Sequence, residues 1–233
     1  MSLVTTRGTA KTLAKTLLDE KSDTFFSQTN QNNLVDEANR IVWRELINTN
    51  YEYFLDTDTF TFPANAERIS IDDETGDTPY KIIDIGHTPS SGAITPNNSF
   101  TQWRPMRFVE RYQIQKSGAT GRGSVGSYHF SLVGEFLYVS PIPTATLNVH
   151  LFYIAPLGAL AADGSALLGG RAEDVFGDCV AYCLADLMNS KQQGQNPVID
   201  RLWMEAQGRI KDHATSRNSN EGGHVRVTRA SWE

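Results

Sequence analysis

The chain has 233 residues and a formal net charge of −6, and 39% of its residues are hydrophobic. This length fits one domain, or one domain with an inserted module. The acidic balance argues against a general nucleic-acid binder that acts by neutralising phosphates. The sequence has no apolar run of the roughly 18 residues that a transmembrane helix needs, and its N-terminus lacks the apolar core of a signal peptide. We therefore expect no membrane partner.

The first 50 residues predict two amphipathic helices, because their apolar residues recur at the spacing of one helical face. Thr9 is expected to cap the first helix, with Lys11 and Lys15 on its exposed side. After a polar break, Asn33 is expected to cap the second helix. Acidic residues follow that cap in the first turn, where they favour the helix dipole.

Residues 51–157 change to an alternating pattern that predicts strands, and the short spacing between the strands favours antiparallel pairing. The clearest hairpin is expected over residues 128–140, where Gly134-Glu135 separates two β-rich runs. A glycine at the first turn position is what a type II′ turn requires. Residues 86–105 are rich in Pro, Ser, Gly and Asn and predict a long loop, which in a compact domain is usually functional or ordered by a partner.

Residues 171–189 give the strongest helical pattern of the chain. Their apolar positions form one stripe, which must be buried against other elements for the helix to be stable. Cys179 and Cys183 lie on this stripe at i and i+4, a spacing that suits buried thiols better than a disulfide or half of a metal site. Asn196 is expected to cap a further helix that starts at Pro197. Its predicted inner face comprises Val198, Leu202, Ala206 and Ile210.

These elements predict an α+β fold, in which the N- and C-terminal helices form one helical bundle and an antiparallel β module is inserted between them. The expected divisions are N-terminal helices in residues 1–50, the β module in 51–157, C-terminal helices in 158–213 and an extended C-terminal tail in 214–233. The sequence contains no internal repeat.

Asp56-Thr57-Asp58-Thr59 resembles the nucleophile motif of haloacid-dehalogenase-type phosphatases. In that motif the first aspartate attacks phosphorus, the second is the general acid, and both help to hold Mg²⁺. The motif belongs at the end of a buried parallel strand followed by a helix, whereas a strand pattern follows it here. A solvated acidic strand edge is the favoured interpretation, and a Mg²⁺-dependent phosphatase using Asp56 and Asp58 is an alternative function. Residues 121–126 match G-x-G-x-x-G but precede a strand, so they predict a loop.

Charge is divided unevenly along the chain. Residues 51–77 hold eight acidic side chains and one basic, whereas residues 100–123 hold five basic and one acidic. Both stretches could be solvated faces, or complementary subunit surfaces, since opposite charges steer and register association. A nucleic-acid-binding module using residues 104–122 is the second alternative function. The candidate basic residues of a subunit interface are Arg104, Arg107, Arg111 and Arg122.

The order of elements resembles that of the head–tail adaptor, or connector, proteins of tailed bacteriophages. The resemblance spans most of residues 25–215 and contains no catalytic signature. Four stretches carry it: the helix LVDEANRIVWREL (34–46), the acidic strands that follow through residue 71, GEFLYVSPIP (134–143) with the strand ending at residue 153, and the helix of residues 171–189 with a further helix and an extended tail behind it.

The resemblance implies a structural virion protein with no enzymatic activity and no cofactor. It would form a homo-oligomeric ring, usually a dodecamer, between the portal protein and a downstream tail or neck protein in the virion, after assembly in the host cytoplasm. The tail would reach the portal, and its alternating valines could add as a strand to a partner's sheet edge. The tail residues concerned are His224, Val225, Arg226, Val227, Arg229 and Trp232.

In such a ring, double-stranded DNA would pass through the lumen without sequence-specific binding. An acidic lumen would favour sliding, because each phosphate that a protein neutralises releases counterions and adds affinity for DNA. The candidates for the channel surface are the acidic residues of the helix over 171–189: Glu173, Asp174, Asp178 and Asp186.

Overall fold

The structure, a computed structural model, describes residues 4–19, 26–75, 78–88, 100–106, 128–192 and 196–220. Within these ranges the fold is mixed α/β, as predicted, with five α-helices and two four-stranded sheets. The helices are α1 (Arg7–Leu17), α2 (Gln28–Thr49), α3 (Ile71–Thr75), α4 (Glu173–Lys191) and α5 (Pro197–Asn220). The strands are β1 (Leu55–Phe62), β2 (Arg68–Ser70), β3 (Lys81–Thr88), β4 (Thr101–Gln102), β5 (Arg104–Pro105), β6 (His129–Val133), β7 (Phe136–Ser140) and β8 (Leu147–Ile154).

The chain divides into two compact units. The helical unit combines the two ends of the chain, Met1–Tyr53 and Leu157–Glu233, and the β unit is the central segment Phe54–Pro156. Helices α1, α2, α4 and α5 belong to the helical unit, whereas the eight strands and the short helix α3 belong to the β unit. The β unit is therefore an insertion between two parts of one helical unit.

Helix α4 is the centre of the helical unit, because α1, α2 and α5 all pack on it. Its predicted apolar stripe is fully buried at Phe176, Val180 and Leu184. The small residues Ala181 and Ala185 are fully buried as well. Contact with three other helices explains why burial extends beyond the stripe that the sequence predicts.

The predicted N-caps of the first two helices are wrong. The cap of α1 is Thr6, whose hydroxyl accepts from the Thr9 N–H while the Thr9 hydroxyl accepts from the Thr6 N–H. Thr9 is thus the reciprocal partner in a capping box. Helix α2 begins at Gln28, after the cap Ser27, so the predicted cap Asn33 lies inside it. The serine cap satisfies a first-turn N–H group and lets weakly helix-forming polar residues start the helix.

The glycine- and alanine-rich link before α4 is an ordered part of the helical unit. The backbone N–H groups of Arg7 and Gly8 donate to the carbonyls of Ser165 and Asp163, at 3.0 and 2.8 Å. Leu167, at the end of the link, is fully buried. The link therefore satisfies first-turn donors of α1 that have no partner within that helix.

Helix α5 begins at Pro197, as predicted, and the Asn196 side chain accepts from the N–H of Val198. Val198 was expected on the inner face of this helix but is 61% exposed, whereas Ile199 is 1% exposed. The expected face is therefore wrong by one position at its start. The buried period runs from Ile199 to Ala206 and Ile210.

The predicted boundary between the last helix and the C-terminal tail is also wrong. The sequence predicts an extended tail from residue 214, but α5 continues to Asn220. Polar residues alone do not end a helix, and the first strong helix breakers of this stretch are Gly222 and Gly223. Residues 221–233 lie outside the described part of the chain.

The β unit consists of two sheets that share one core. Their strand orders are β1-β8-β3-β4 and β2-β7-β6-β5. Residues from both sheets, together with Ile71 of α3, pack between them. The buried members of this core are Phe60, Phe62, Ile71, Ile85, Trp103, Leu137, Val139, Val149, Leu151 and Tyr153.

The predicted hairpin is confirmed. Strands β6 and β7 pair antiparallel, with Val133 opposite Phe136 across the turn. Gly134, and not Glu135, has a positive φ, of +60°. A positive φ at the first turn position alone is the mark of a type II′ turn.

The prediction of one long loop over residues 86–105 is wrong where the structure describes them. Strand β3 continues to Thr88, and β4 and β5 follow on either side of Trp103, which is 1% exposed. Each of these two strands has only two residues, so no alternation is visible in the sequence. Pro105 is tolerated because β5 lies at the end of its sheet.

The prediction of a wholly antiparallel β module is wrong for one pair of strands. Strand β5 runs parallel to β6, with Arg104 opposite His129 and Pro105 opposite Phe130. Parallel neighbours need a long connection, and more than 20 residues separate these two strands along the chain. The other paired strands are antiparallel.

Candidate functional site

A groove of about 530 Å³ lies between α1, α4 and α5 in the helical unit. Its lining combines the aliphatic side chains of Val4, Leu13 and Val175 with the carboxylates of Glu173 and Asp174. The two acidic residues occupy the first turn of α4, where they compensate the helix dipole. The groove is thus an apolar surface beside negative charge.

Asp178 also lines this groove, but its charge is compensated within the chain. An oxygen of its carboxylate pairs with the guanidinium of Arg209 on α5. The same guanidinium nitrogen lies 2.9 Å from the sulfur of Cys179. Arg209 therefore joins α5 to α4, and Asp178 adds little free negative charge to the groove.

The fourth predicted channel residue, Asp186, does not line the groove. Burial raises the pKa of its carboxyl above the ordinary value, and the nearby carboxylate of Asp200 on α5 raises it further. Because α4 and α5 are antiparallel, Asp186 lies near the start of α5, away from the pair of Asp178 with Arg209. The structure brings together Glu173, Asp174 and Asp178, but not Asp186.

Both cysteines are buried and free, which confirms the prediction of buried thiols. Burial raises the pKa of Cys179 to about 11, although the Arg209 guanidinium opposes the shift. Burial likewise raises the pKa of Cys183. Since the thiolate is the reactive and metal-binding form, these protonated thiols are poor nucleophiles and poor ligands.

Asp56 and Asp58 lie on β1, which is a terminal strand of its sheet in the described part of the chain. They stand opposite Tyr153 and Leu151 of the antiparallel strand β8. The next element along the chain is another strand, β2, so the parallel strand and following helix of the phosphatase motif are not present at this position. Among the described residues, no group of three His, Cys, Asp or Glu is placed to hold a metal ion.

The other predicted site residues are described only in part. Arg104 lies on β5 with its side chain exposed. Three of the four candidate basic interface residues and the whole candidate portal-binding tail lie outside the described residues. They are Arg107, Arg111, Arg122, His224, Val225, Arg226, Val227, Arg229 and Trp232.

A charge cluster in the helical unit, with two buried cations around a half-exposed carboxylate, was not predicted from the sequence. Lys11, expected on an exposed side, is 8% exposed, and its Nζ lies 2.5 Å from Oδ1 of Asp163 and 3.1 Å from Oδ1 of Asn32. The Nε of Arg7, a residue that is 7% exposed, lies 3.1 Å from the same Asp163 oxygen. Lys11, and then Arg7, hold the pKa of Asp163 below its ordinary value. No local pattern predicts this cluster, because Asp163 lies more than 150 residues along the chain from Arg7 and Lys11.

Two histidines of the β unit have structural roles. The Nδ1 of His87 accepts from the indole N–H of Trp103 at 2.9 Å, which requires an unprotonated Nδ1. The Nε2 of His150 and the hydroxyl of Thr88 are 3.2 Å apart. Burial lowers the pKa of both imidazoles below the ordinary value.

No protein-family model matches this chain, and no curated protein matches it. Among the helices that the structure describes, none combines the length and apolar character that crossing a bilayer requires. Function is therefore inferred from the residues of this chain.

Proposed function

We propose that this chain is a structural virion protein that forms a head-to-tail adaptor ring, joining the portal to the tail of a tailed bacteriophage. In this proposal the helices form a bundle that builds the ring, and the inserted β unit contacts neighbouring copies or the next tail component. An extended C-terminal tail reaches the portal. The single observation that supports this proposal most is the helical unit, which is formed by both ends of the chain around one core.

The charges of the groove support a role beside passing DNA. Glu173 and Asp174 place two carboxylates at the start of α4, and such a surface repels phosphates instead of neutralising them. Asp178 is paired with Arg209, and the pKa of Asp186 is raised by burial. We therefore restrict the proposed channel-facing pair to Glu173 and Asp174.

Charge reversal tests this assignment. Glu173→Lys together with Asp174→Lys should slow DNA ejection from assembled virions, because lysines at the channel surface would bind the passing phosphates. Asp178 is left unchanged, since its replacement would also break the contact with Arg209. The matched control is Asp73→Lys with Glu135→Lys, which changes the net charge equally at exposed positions of the β unit.

If virions with the Glu173 and Asp174 substitutions eject DNA as fast as those with the control pair, these residues do not face the channel.

The proposed contact between the C-terminal tail and the portal has a separate test. Because terminal segments are commonly loose until they dock, cleavage after Arg226 and Arg229 by trypsin should be slower when the portal is bound. Equal cleavage rates with and without the portal would argue against the tail as the portal contact.

A further inference from the structure

The outer side of β1 is identified by the backbone of its neighbour, β8. The carbonyl of Ile154 accepts from the N–H of Tyr80, which precedes β3, so Ile154 directs its polar groups to the β3 side. Successive residues of a strand direct their backbone groups to opposite sides in the sheet. Tyr153 and Leu151 therefore direct theirs towards β1, where they stand opposite Asp56 and Asp58.

It follows that Thr57 and Thr59 direct their N–H groups away from β8, to the outer edge of the sheet. Both N–H groups have an acceptor there. The Thr57 N–H donates to Oδ1 of Asp56 at 3.1 Å, and the Thr59 N–H donates to Oδ1 of Asp58 at 2.8 Å. An added strand would need these two donors, so each aspartate occupies a position where pairing would begin.

Strand β3 has the same arrangement, an aspartate oxygen that accepts from the N–H of the next residue, where it lies beside the two-residue strand β4. The carbonyl of Ile85 accepts from the Trp103 N–H at 2.8 Å, so Ile85 faces the β4 side. The Ile85 N–H donates to Oδ1 of Asp84 at 2.8 Å, and that oxygen also accepts from the Gln102 side chain at 2.9 Å. An aspartate thus satisfies an outward N–H group where β4, with two residues, provides no backbone partner.

We propose that Asp56 and Asp58 guard the β1 edge against pairing with a strand from a second copy of the chain. Both side chains lie on the same face of β1 as the buried Phe60 and Phe62, and acidic residues directed inward at an edge are a known obstacle to strand addition. The guard gives the Asp-Thr-Asp-Thr motif a role that involves no reaction. It does not depend on the adaptor proposal, although an unguarded eight-residue edge would be a hazard wherever copies are held side by side.

Substitution of both aspartates tests the guard in the full chain. Asp56→Thr with Asp58→Thr removes both acceptors and both charges and keeps a residue that favours strands. Sedimentation velocity measures the association constant for self-association of the variant and of the wild type. We expect this constant to be at least about tenfold higher for the variant, which corresponds to about 1.4 kcal/mol. Asp56→Asn with Asp58→Asn keeps a side-chain acceptor and should give a smaller rise.

The control is Asp73→Asn with Glu135→Gln, which removes the same charge at exposed positions away from β1. If the double threonine variant associates no more than this control, the proposed role of Asp56 and Asp58 is wrong.

Amide hydrogen exchange of the wild type gives a second test that needs no variant. The amides of Thr57 and Thr59 should exchange more slowly than that of Thr61, which follows Phe60 on the same edge and has no preceding carboxylate. Equal exchange at the three amides would overturn the proposal.

Discussion

Removal of the Asp163 charge should destabilise the helical unit more than removal of an exposed carboxylate. Asp163→Asn keeps the size of the side chain, so the packing of the link against α1 is preserved. The side chains of Lys11 and Arg7 are only 10% and 9% exposed, and both lose their counter-charge. Among the described residues, the other side-chain contacts of these two cations are with the side chain of Asn32 and the carbonyl of Leu160.

The magnitude follows from the burial of the partners. Loss of one member of a fully buried ion pair costs about 3–5 kcal/mol. The Asp163 side chain is 51% exposed, and solvent screening at that oxygen roughly halves the effect. We therefore expect Asp163→Asn to lower the free energy of unfolding by about 2 kcal/mol at pH 7. Asp212→Asn, at an exposed position of α5, should change it by less than about 0.5 kcal/mol.

Urea unfolding followed by far-UV circular dichroism measures the difference, and its pH dependence gives an independent check. Lys11, and then Arg7, lower the pKa of Asp163 in the folded state, so the unfolded state binds this proton more readily. The stabilisation is therefore present above the unfolded pKa of about 3.9 and is lost as the pH falls through the folded value. The difference in the free energy of unfolding between wild type and Asp163→Asn should therefore be smaller at pH 3 than at pH 7. A gap below about 0.5 kcal/mol at pH 7, or one that is unchanged at pH 3, would refute this reasoning.

Two further predictions concern a helix contact and a buried hydrogen bond. A Cβ added at Gly177 would lie 1.7 Å from the carbonyl oxygen of Val4. Gly177→Ala should therefore lower the free energy of unfolding, measured by thermal unfolding, by about 3 kcal/mol or more. Gly208→Ala, in open space on α5, should instead add about 0.5–1 kcal/mol, and equal effects would contradict the packing described. His87→Leu leaves the buried indole N–H of Trp103 without its acceptor and should lower the free energy of unfolding by about 1–3 kcal/mol. His87→Asn is the conservative variant, because it supplies an oxygen near the Nδ1 position. Because burial lowers the pKa of His87, the unfolded state takes up a proton before the folded state as the pH falls below about 6.5. The free energy of unfolding of the wild type should therefore fall more between pH 7 and pH 5 than that of His87→Asn. Equal decreases would contradict this role for His87.

The elements that could be predicted from the sequence are those specified by adjacent residues. Gly134 sets the turn between β6 and β7, and the alternating residues on either side set the pairing, so the hairpin is visible in one short segment. Asn196 and Pro197 likewise mark the start of α5 through local capping chemistry. The prediction that Asp56 and Asp58 lie at a strand edge is confirmed for the described residues, but both side chains are half-buried and not fully solvated as expected.

The features that could not be predicted depend on residues far apart in the chain. Lys11 has the spacing of an exposed lysine, and only the folded link brings Asp163 to it. Strand β5 has two residues and a proline, and its strand character comes from pairing with β6. The hydrogen bonds of Asp56 and Asp58 are local, but the sequence does not show that β1 lies at the end of its sheet.

The mass of the full chain mixed with the portal protein of the same virus tests the adaptor proposal most directly. We predict a complex that adds a closed ring of about twelve copies of this 25.9 kDa chain to the portal ring, resolved by native mass spectrometry. A chain that stays monomeric at every concentration and does not join the portal would contradict the proposal.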